Sequence, residues 1–441
     1  MRSFILIGLC AGATIGCGGD PKAGPDAYTG NHPPPRVIAG GGIGDGPVDG
    51  VVNLYVIDDA TRLPVSGATV RVGGMDGTTD DTGLFVAENV AGPQQVAVSA
   101  PSYRAEVWLG ANGANMTVDV KPAIDPAVTH ANLSGSITGF DAVTVPTGHH
   151  KAAIVSYAQD DHAIDAENNL ATANNANICD TGVASGGCTF TVTARTGHVA
   201  LLAMILDHDL NGTPLDPSDD KYTVIGWAAR TGLVVADGAD QVNVTLSMVP
   251  VGQLANVSVT LGQPPLAQSA ALVGLELAQD GVAYLGMPLS AAAPSILAPS
   301  LDAFPGARYR LIGFSSTGSG SAVPQAAIVL RGQVATSLTA PTWLAPPTAL
   351  SLTRTGGSWD AMPDALVQGA EYDAGTTHLL SVTAFDGSTS FVIPDLVSLP
   401  VSGTLTAKGT ALGGSLDLTS FSIDADLAKV TAFSSQPMTI N

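Results

Sequence analysis

Basic residues are scarce in this chain: Lys and Arg number 17 against 38 Asp and Glu, a formal net charge of −21. A surface of that sign repels phosphate backbones and anionic lipid headgroups, which excludes nucleic acid as a partner and favours solubility and divalent cations. Charge of either sign is thin, at 12% of residues, and Ala, Val, Leu, Gly and Thr fill the space. Long exposed helices need Lys- and Glu-rich faces, so their absence argues against a helical protein. Aromatics make up only 5%, with four Trp. That is too few for the clustered rings on which glycosidase clefts usually hold sugars. No stretch reaches about 18 consecutive apolar residues with membrane flanks, so a transmembrane helix is not expected. Catalytic signatures are missing as well: the sequence has no G-x-S-x-G elbow, no H-E-x-x-H and no P-loop.

The amino end does carry a signal. Met1-Arg2-Ser3 is a short basic start, and Phe4 to Ile15 is an apolar run. At about a dozen residues the run is too short to span a bilayer and right for the core of a signal peptide. Thr14-Ile15-Gly16-Cys17 follows and resembles a bacterial lipobox. Ile15, Gly16 and Cys17 fit it, and Thr14 stands where that pattern usually has Leu. The resemblance implies cleavage before Cys17, a diacylglycerol on its thiol and a membrane partner reached through the lipid anchor. Gly18, in place of Asp, implies passage to the outer membrane.

Four cysteines are present. With Cys10 in the signal and Cys17 as the lipid site, Cys179 and Cys188 remain as an even pair around a turn-rich loop. In an exported chain they are expected to be oxidised, closing a ten-residue loop and stabilising the fold by roughly 2.5–3 kcal/mol. No CxxC exists, so a zinc ribbon is excluded.

The rest reads as strands. Residues 1–16 are the expected signal peptide, and 17–50, with Pro33-Pro34-Pro35 and Gly40-Gly41-Gly42, the expected flexible tether. Val51 to Pro122 alternates apolar and polar residues in six short runs broken by Gly, Pro and Asp, the pattern of a β-sandwich. Three features, Pro64-Val65-Ser66-Gly67-Ala68-Thr69-Val70, the Thr79-Asp80-Asp81-Thr82-Gly83-Leu84-Phe85 turn and Ala100-Pro101-Ser102-Tyr103, resemble the carboxypeptidase regulatory-like domain. Ser102 stands where that family often has Gly. The resemblance implies a transthyretin-like sandwich over about 70 residues, usually an accessory module without activity of its own, and overlaps carbohydrate-binding-like folds.

A second β-rich domain is expected over 123–253 and a third over 254–441, with a possible division near 341–357 where Pro341 to Pro347 interrupts the pattern. In the second, Val199 to Leu206, Tyr222 to Ala228, Leu233 to Ala236 and Val242 to Val249 read as strands. Ala163 to Ile178 reads as either a short helix or a long loop. Ala194-Arg195-Thr196-Gly197 recurs as Ala229-Arg230-Thr231-Gly232, a shared turn chemistry rather than a duplication. In the third, Asp386-Gly387 between Leu379–Phe385 and Ser390–Ile393 predicts a tight hairpin. The expected fold class is all-β, several sandwiches in tandem after the signal and tether.

The strongest candidate for ligand chemistry is Asp207-His208-Asp209-Leu210-Asn211-Gly212-Thr213, followed by Asp216, Asp219 and Asp220. Alternating oxygen side chains and a glycine at the bend suit Ca2+, a hard ion wanting six to eight oxygens. The spacing resembles the first half of an EF-hand-type loop, with Ser218 where the bidentate Glu would stand. Asp207, Asp209, Asn211, Thr213, Asp216, Asp219 and Asp220 are the expected ligands of a structural calcium. An Asx-rich surface turn would have the same composition. A weaker cluster, Asp160-Asp161-His162 with Asp165 and Glu167 near His149-His150, suits either a transition metal or a solvated acidic loop. The reading that follows is a non-enzymatic envelope scaffold or adhesion module. A glycan-binding lipoprotein and a secreted hydrolase or its accessory module are the alternatives. Glycan or another envelope protein is the expected partner, and an exposed row of Tyr or Trp would favour glycan.

Overall fold

The computed structural model describes residues 33–127, 129–158, 177–180, 187–213, 219–285, 289, 294–318 and 325–441. Cys17, Asp216 and the 160–167 cluster lie outside them. The described residues form 30 strands, five single-turn 3-10 helices and one α-helix, Ile423–Asp426. The protein is all-β, as its alternation predicts. No described helix is long and apolar enough to cross a membrane. By contact the described residues group as two compact units, 127–343 and a discontinuous one made of 33–126 with 344–441. This differs from the linear division into three at the place of the C-terminal residues, which join the first sandwich. The change of unit falls between Trp343 and Leu344, inside the proline-rich run.

In the unit of 127–343, seven strands follow one another across a sheet. Their order is Asn177–Asp180, His150–Ala158, Gly197–Asp209, Lys221–Val235, Gln241–Met248, His130–Thr138, Thr189–Arg195. Neighbours run antiparallel except Gln241–Met248 beside His130–Thr138. The Cys179–Cys188 disulfide is present, with Cα atoms 5.6 Å apart. It joins the first strand of this order to the start of the last, so the sheet is curled on itself and stapled along its seam. Leu133, Phe140, Val155, Phe190, Val192, Leu201 and Leu246 fill the interior.

The Gly197–Asp209 strand is buried on both faces. Val199, Leu201, Ala203 and Ile205 point into the curled interior, and Ala200, Leu202, Met204 and Leu206 into a second core with Trp227, Val273, Leu275, Tyr309 and Leu311. A strand covered on both sides has no place for a polar position, which explains its unbroken apolar run. The second core is closed by Val282–Tyr284, Gln268–Glu276, Arg308–Ser316 and Ala326–Gln333, paired in that order. The small sheet of Ser295–Pro299, Leu254–Thr260 and Ser337–Thr339 completes it. On the curled-interior side, Lys151 is fully buried and donates to the carbonyls of Phe140, at 2.7 Å, and Val143, at 3.1 Å. It thereby pins the turn after the His130–Thr138 strand.

The other unit is a sandwich extended by late sequence. One sheet has the order Phe421–Ser422, Gly42–Gly44, Asn115–Val120, Asp49–Asp58, Leu84–Ala91. The facing strands run Met75–Thr78, Thr69–Val72, Gln94–Ser99, Ala105–Ala111. Between them lie Val52, Leu54, Val56, Val70, Val98, Trp108, Met116 and Val118. The residues that carry the family resemblance brace this sandwich. Thr79 Oγ1 donates to the Val65 carbonyl at 2.7 Å and accepts from the Ala68 N–H at 3.0 Å, while the Tyr103 hydroxyl donates to Asp58 at 2.8 Å. Ala105–Ala111 then continues, in parallel, into Thr377–Ala384, followed by Val367–Ala374, Leu405–Gly414 and Val430–Ile440. Val107 and Leu109, on the other face of the shared strand, pack with Trp359, Tyr372, Leu380, Val382 and Phe391.

Two expectations need correction. The tether does not extend to residue 50. Gly42–Gly44 is a strand, and Ile38, Ile43 and Val48 are buried. The glycines that resemble a linker are there for close approach: a Cβ on Gly42 would lie 2.3 Å from the Phe421 carbonyl oxygen, and one on Gly40 would lie 2.0 Å from Asp424 Oδ1. Asp386-Gly387 does turn the chain, with Gly387 at φ +75° and the Ser388 N–H bonded to Asp386. But the strands on either side do not pair. Thr377–Ala384 lies between Val367–Ala374 and Ala105–Ala111, and Ser390–Val392 joins Gly356–Ser358 in a separate small sheet.

Candidate functional site

The expected calcium residues sit at one end of three adjoining strands of the 127–343 unit. Antiparallel register places His150 opposite His208 and Lys151 opposite Asp207, and His208 opposite Tyr222. This joins two sequence features that are about sixty residues apart along the chain. His149 Nδ1 lies 2.8 Å from Asp207 Oδ1, and its Nε2 is 3.6 Å from Asp209. On the opposite face of the strand His208 Nε2 is 2.7 Å from Asp220 Oδ2. The His208 ring stacks on Tyr222, centroids 4.3 Å apart, and meets His150 edge-on at 5.6 Å.

Among the described residues of the loop, Asp209 and Asp219 are engaged locally, while Asp220 Oδ1 is buried without a hydrogen-bond partner. Asp209 accepts the Asn211 N–H at 2.9 Å. Asp219 accepts from the Thr213 hydroxyl at 2.7 Å and from Asn211 Nδ2 at 3.2 Å. Those two donors hold the Asp219 carboxyl below the usual carboxylate range. Asn211 itself is at φ +49° and Gly212 at +76°, the left-handed pair that makes the bend. So Asp207 and Asp209 gather at His149, Asp219 gathers with Asn211 and Thr213, and Asp220 belongs to His208. Among the described residues no three His, Cys, Asp or Glu side chains come together as a metal-binding group. Of the residues around this loop, sequence reasoning missed His208 and Tyr222 as partners. Strand alternation alone places His208 on the face opposite Asp207 and Asp209, but only the register supplies Asp220 and Tyr222.

A second constellation has no counterpart in the sequence reading. In the unit of 33–126 and 344–441, charges cross four adjacent strands. Glu106 pairs in register with Ser381, Ser381 with Glu371, and Glu371 with Lys408. Arg104 Nη2 is 2.8 Å from Glu106 and Lys408 Nζ is 2.7 Å from Glu371. Arg104 and Glu106 are buried, their side chains 8% and 7% exposed. Burial pushes the Glu106 carboxyl up in spite of Arg104. Burial also works against the Glu371 charge, but Lys408 and Arg104 outweigh it and hold that carboxyl at about 2. The arrangement holds neighbouring strands in register.

No family model matches the chain, and no curated protein matches it. Solved structures give weak likenesses. The Bacillus anthracis TIE protein shares 10% identity over 66% of this chain at a TM-score of 0.14, and this chain spans about half of it, 49%. The shaft pilin SpaA of Lactobacillus rhamnosus GG shares 10% over 46% of this chain and 99% of its own, at 0.14. A DUF3823 family protein of Bacteroides uniformis shares 10% over 43% and 99%, at 0.13. At these scores the likenesses carry no argument, and the fold stands on the chain's own geometry.

Proposed function

We propose that this chain is a lipid-anchored, non-enzymatic module of the bacterial cell envelope, serving as scaffold or adhesion element. One observation carries the reading: the described structure is already engaged at its first residues, 33 and 34. Pro33 and Pro34 are already gripped through their carbonyls by buried Asn53 and Asn115. A lipid on Cys17 would hold the first sandwich within the span that residues 18–32 allow, at most about 50 Å if extended. Four acids of the third region are engaged with neighbours: Glu276 with Arg310, Asp280 with the Gly232 N–H, Glu371 with Lys408 and Asp373 with His378. That supports scaffold over hydrolase. All four Trp, at 108, 227, 343 and 359, are buried, which supports scaffold over a glycan platform built on exposed indoles.

Mass spectrometry of the protein recovered from membranes tests the anchor. The expected result is a mature chain starting at Cys17 and carrying acyl mass, and a Cys17→Ser variant released to the soluble fraction. An intact Met1, or a mature chain free of acyl groups, overturns the proposal.

A further inference from the structure

The outer face of the five-stranded sheet is polar and covered. On Asn115–Val120 the residues Met116, Val118 and Val120 enter the core, which turns Asn115, Thr117 and Asp119 the other way. All three are buried nonetheless, because residues 33–41 lie over them. Asn115 Oδ1 accepts the Arg36 N–H at 3.0 Å, Asn115 Nδ2 donates to the Pro34 carbonyl at 3.2 Å, and Thr117 Oγ1 accepts the Ile38 N–H at 2.8 Å. The third residue of the row, Asp119, faces Gly41 so closely that a Cβ there would lie 2.6 Å from its Oδ1. The far side of the covering segment is held by the C-terminal region. Gly41 O accepts from the Ile423 N–H at 2.9 Å, and Ala39 O accepts from the Ser422 hydroxyl at 2.7 Å.

We propose that residues 33–41 are a pH-sensitive strap latched by Asp119, closed while that carboxyl is neutral and lifted, with its contacts to Ser422 and Ile423, once the carboxylate forms. Unlike Asn115 and Thr117, Asp119 makes no hydrogen bond to the strap, so an ionised carboxylate there gains nothing from closure and loses its water. The charges around it do not cancel. Lys121, just past the end of its strand, and Arg104, just before Ala105–Ala111, attract it, while Asp59 and Glu106 repel it. Arg36 is engaged with Asp45, and Arg62 with Asp59 and Asp424. Burial is the largest influence and outweighs Lys121, so the carboxyl is pushed up to about 7. A folded-state value above the unfolded one means closure is favoured at low pH, and the advantage is lost as pH rises toward that value. Gly42–Gly44 stays paired and Ile43 stays in the core, so the strap lifts from residue 41 outward.

Hydrogen exchange on the full chain at pH 5.5 and 8.5, corrected for intrinsic exchange, tests this. The amides of Arg36, Ile38, Gly41 and Ile423 are expected to lose up to about tenfold in protection per unit as pH rises toward the closed-state value, levelling off above it, while Val52 to Val56 keep theirs. Asp119→Asn should hold the strap closed at both values. Asp59→Asn, which removes a repelling charge, should move the transition to lower pH and serves if the first variant folds poorly. Strap protection that tracks the core at both pH values, or a pH response that persists in Asp119→Asn, overturns the proposal.

Discussion

Replacing Arg104 with methionine is expected to destabilise the unit of 33–126 and 344–441 by roughly 3–5 kcal/mol, the cost of leaving a buried charge without its partner. Glu106 Oε1 receives both Nε and Nη2 of Arg104, at 2.9 and 2.8 Å, and burial already works against its charge. Without the guanidinium, Glu106 must be protonated or draw water into the sheet. Glu371 also loses one of the three cations that depress it. The methionine keeps most of the packing volume, so the loss reports charge rather than a cavity. Adding Glu106→Leu should restore much of the stability, since an apolar pair of similar size avoids the desolvation of both ions. Urea unfolding of the single and double variants gives the answer. A single variant within about 1 kcal/mol of the parent would show the pair to be solvated and worth what a surface pair is worth.

The other unit has its weak point at Trp227. Trp227→Ala is expected to cost roughly 3–5 kcal/mol, the range for deleting a buried large aromatic. The side chain is 1% exposed and sits in the core that the Gly197–Asp209 strand shares with Gln268–Glu276 and Arg308–Ser316. Its indole N–H donates to the Leu297 carbonyl at 2.7 Å, a link to the small three-stranded sheet. Trp227→Phe keeps most of the area and loses that bond, so it should cost less, with the unmet carbonyl contributing about 1–3 kcal/mol. Thermal melting that places the Phe variant as low as the Ala variant would shift the weight from packing to the hydrogen bond.

The all-β class was legible because alternation and turn residues act over a few positions, and so was the disulfide, because an even pair of thiols around a turn-rich loop constrains it. The Val199–Leu206 strand was legible as a strand, but nothing in its residues says which two cores it divides. What the sequence hid is what depends on distant pairing. His149 and Asp207 meet through an antiparallel register, and Arg104, Glu106, Glu371 and Lys408 through three adjacent ladders. Gly40-Gly41-Gly42 misled for a related reason. Glycine serves both a loose linker and a backbone that another chain segment must touch, and only the presence of Asp119, Phe421 and Asp424 tells the two apart.

The parallel pairing of Ala105–Ala111 with Thr377–Ala384 has a consequence for biogenesis. A polypeptide emerges from the ribosome amino end first, so this edge waits bare while the intervening stretch is made, and residues 127–343 have time to collapse on their own. Products cut short after Trp343 would carry Val107 and Leu109 uncovered on an unpaired edge, a template for aggregation. Premature stop codons late in the gene should therefore yield insoluble protein and not a working fragment.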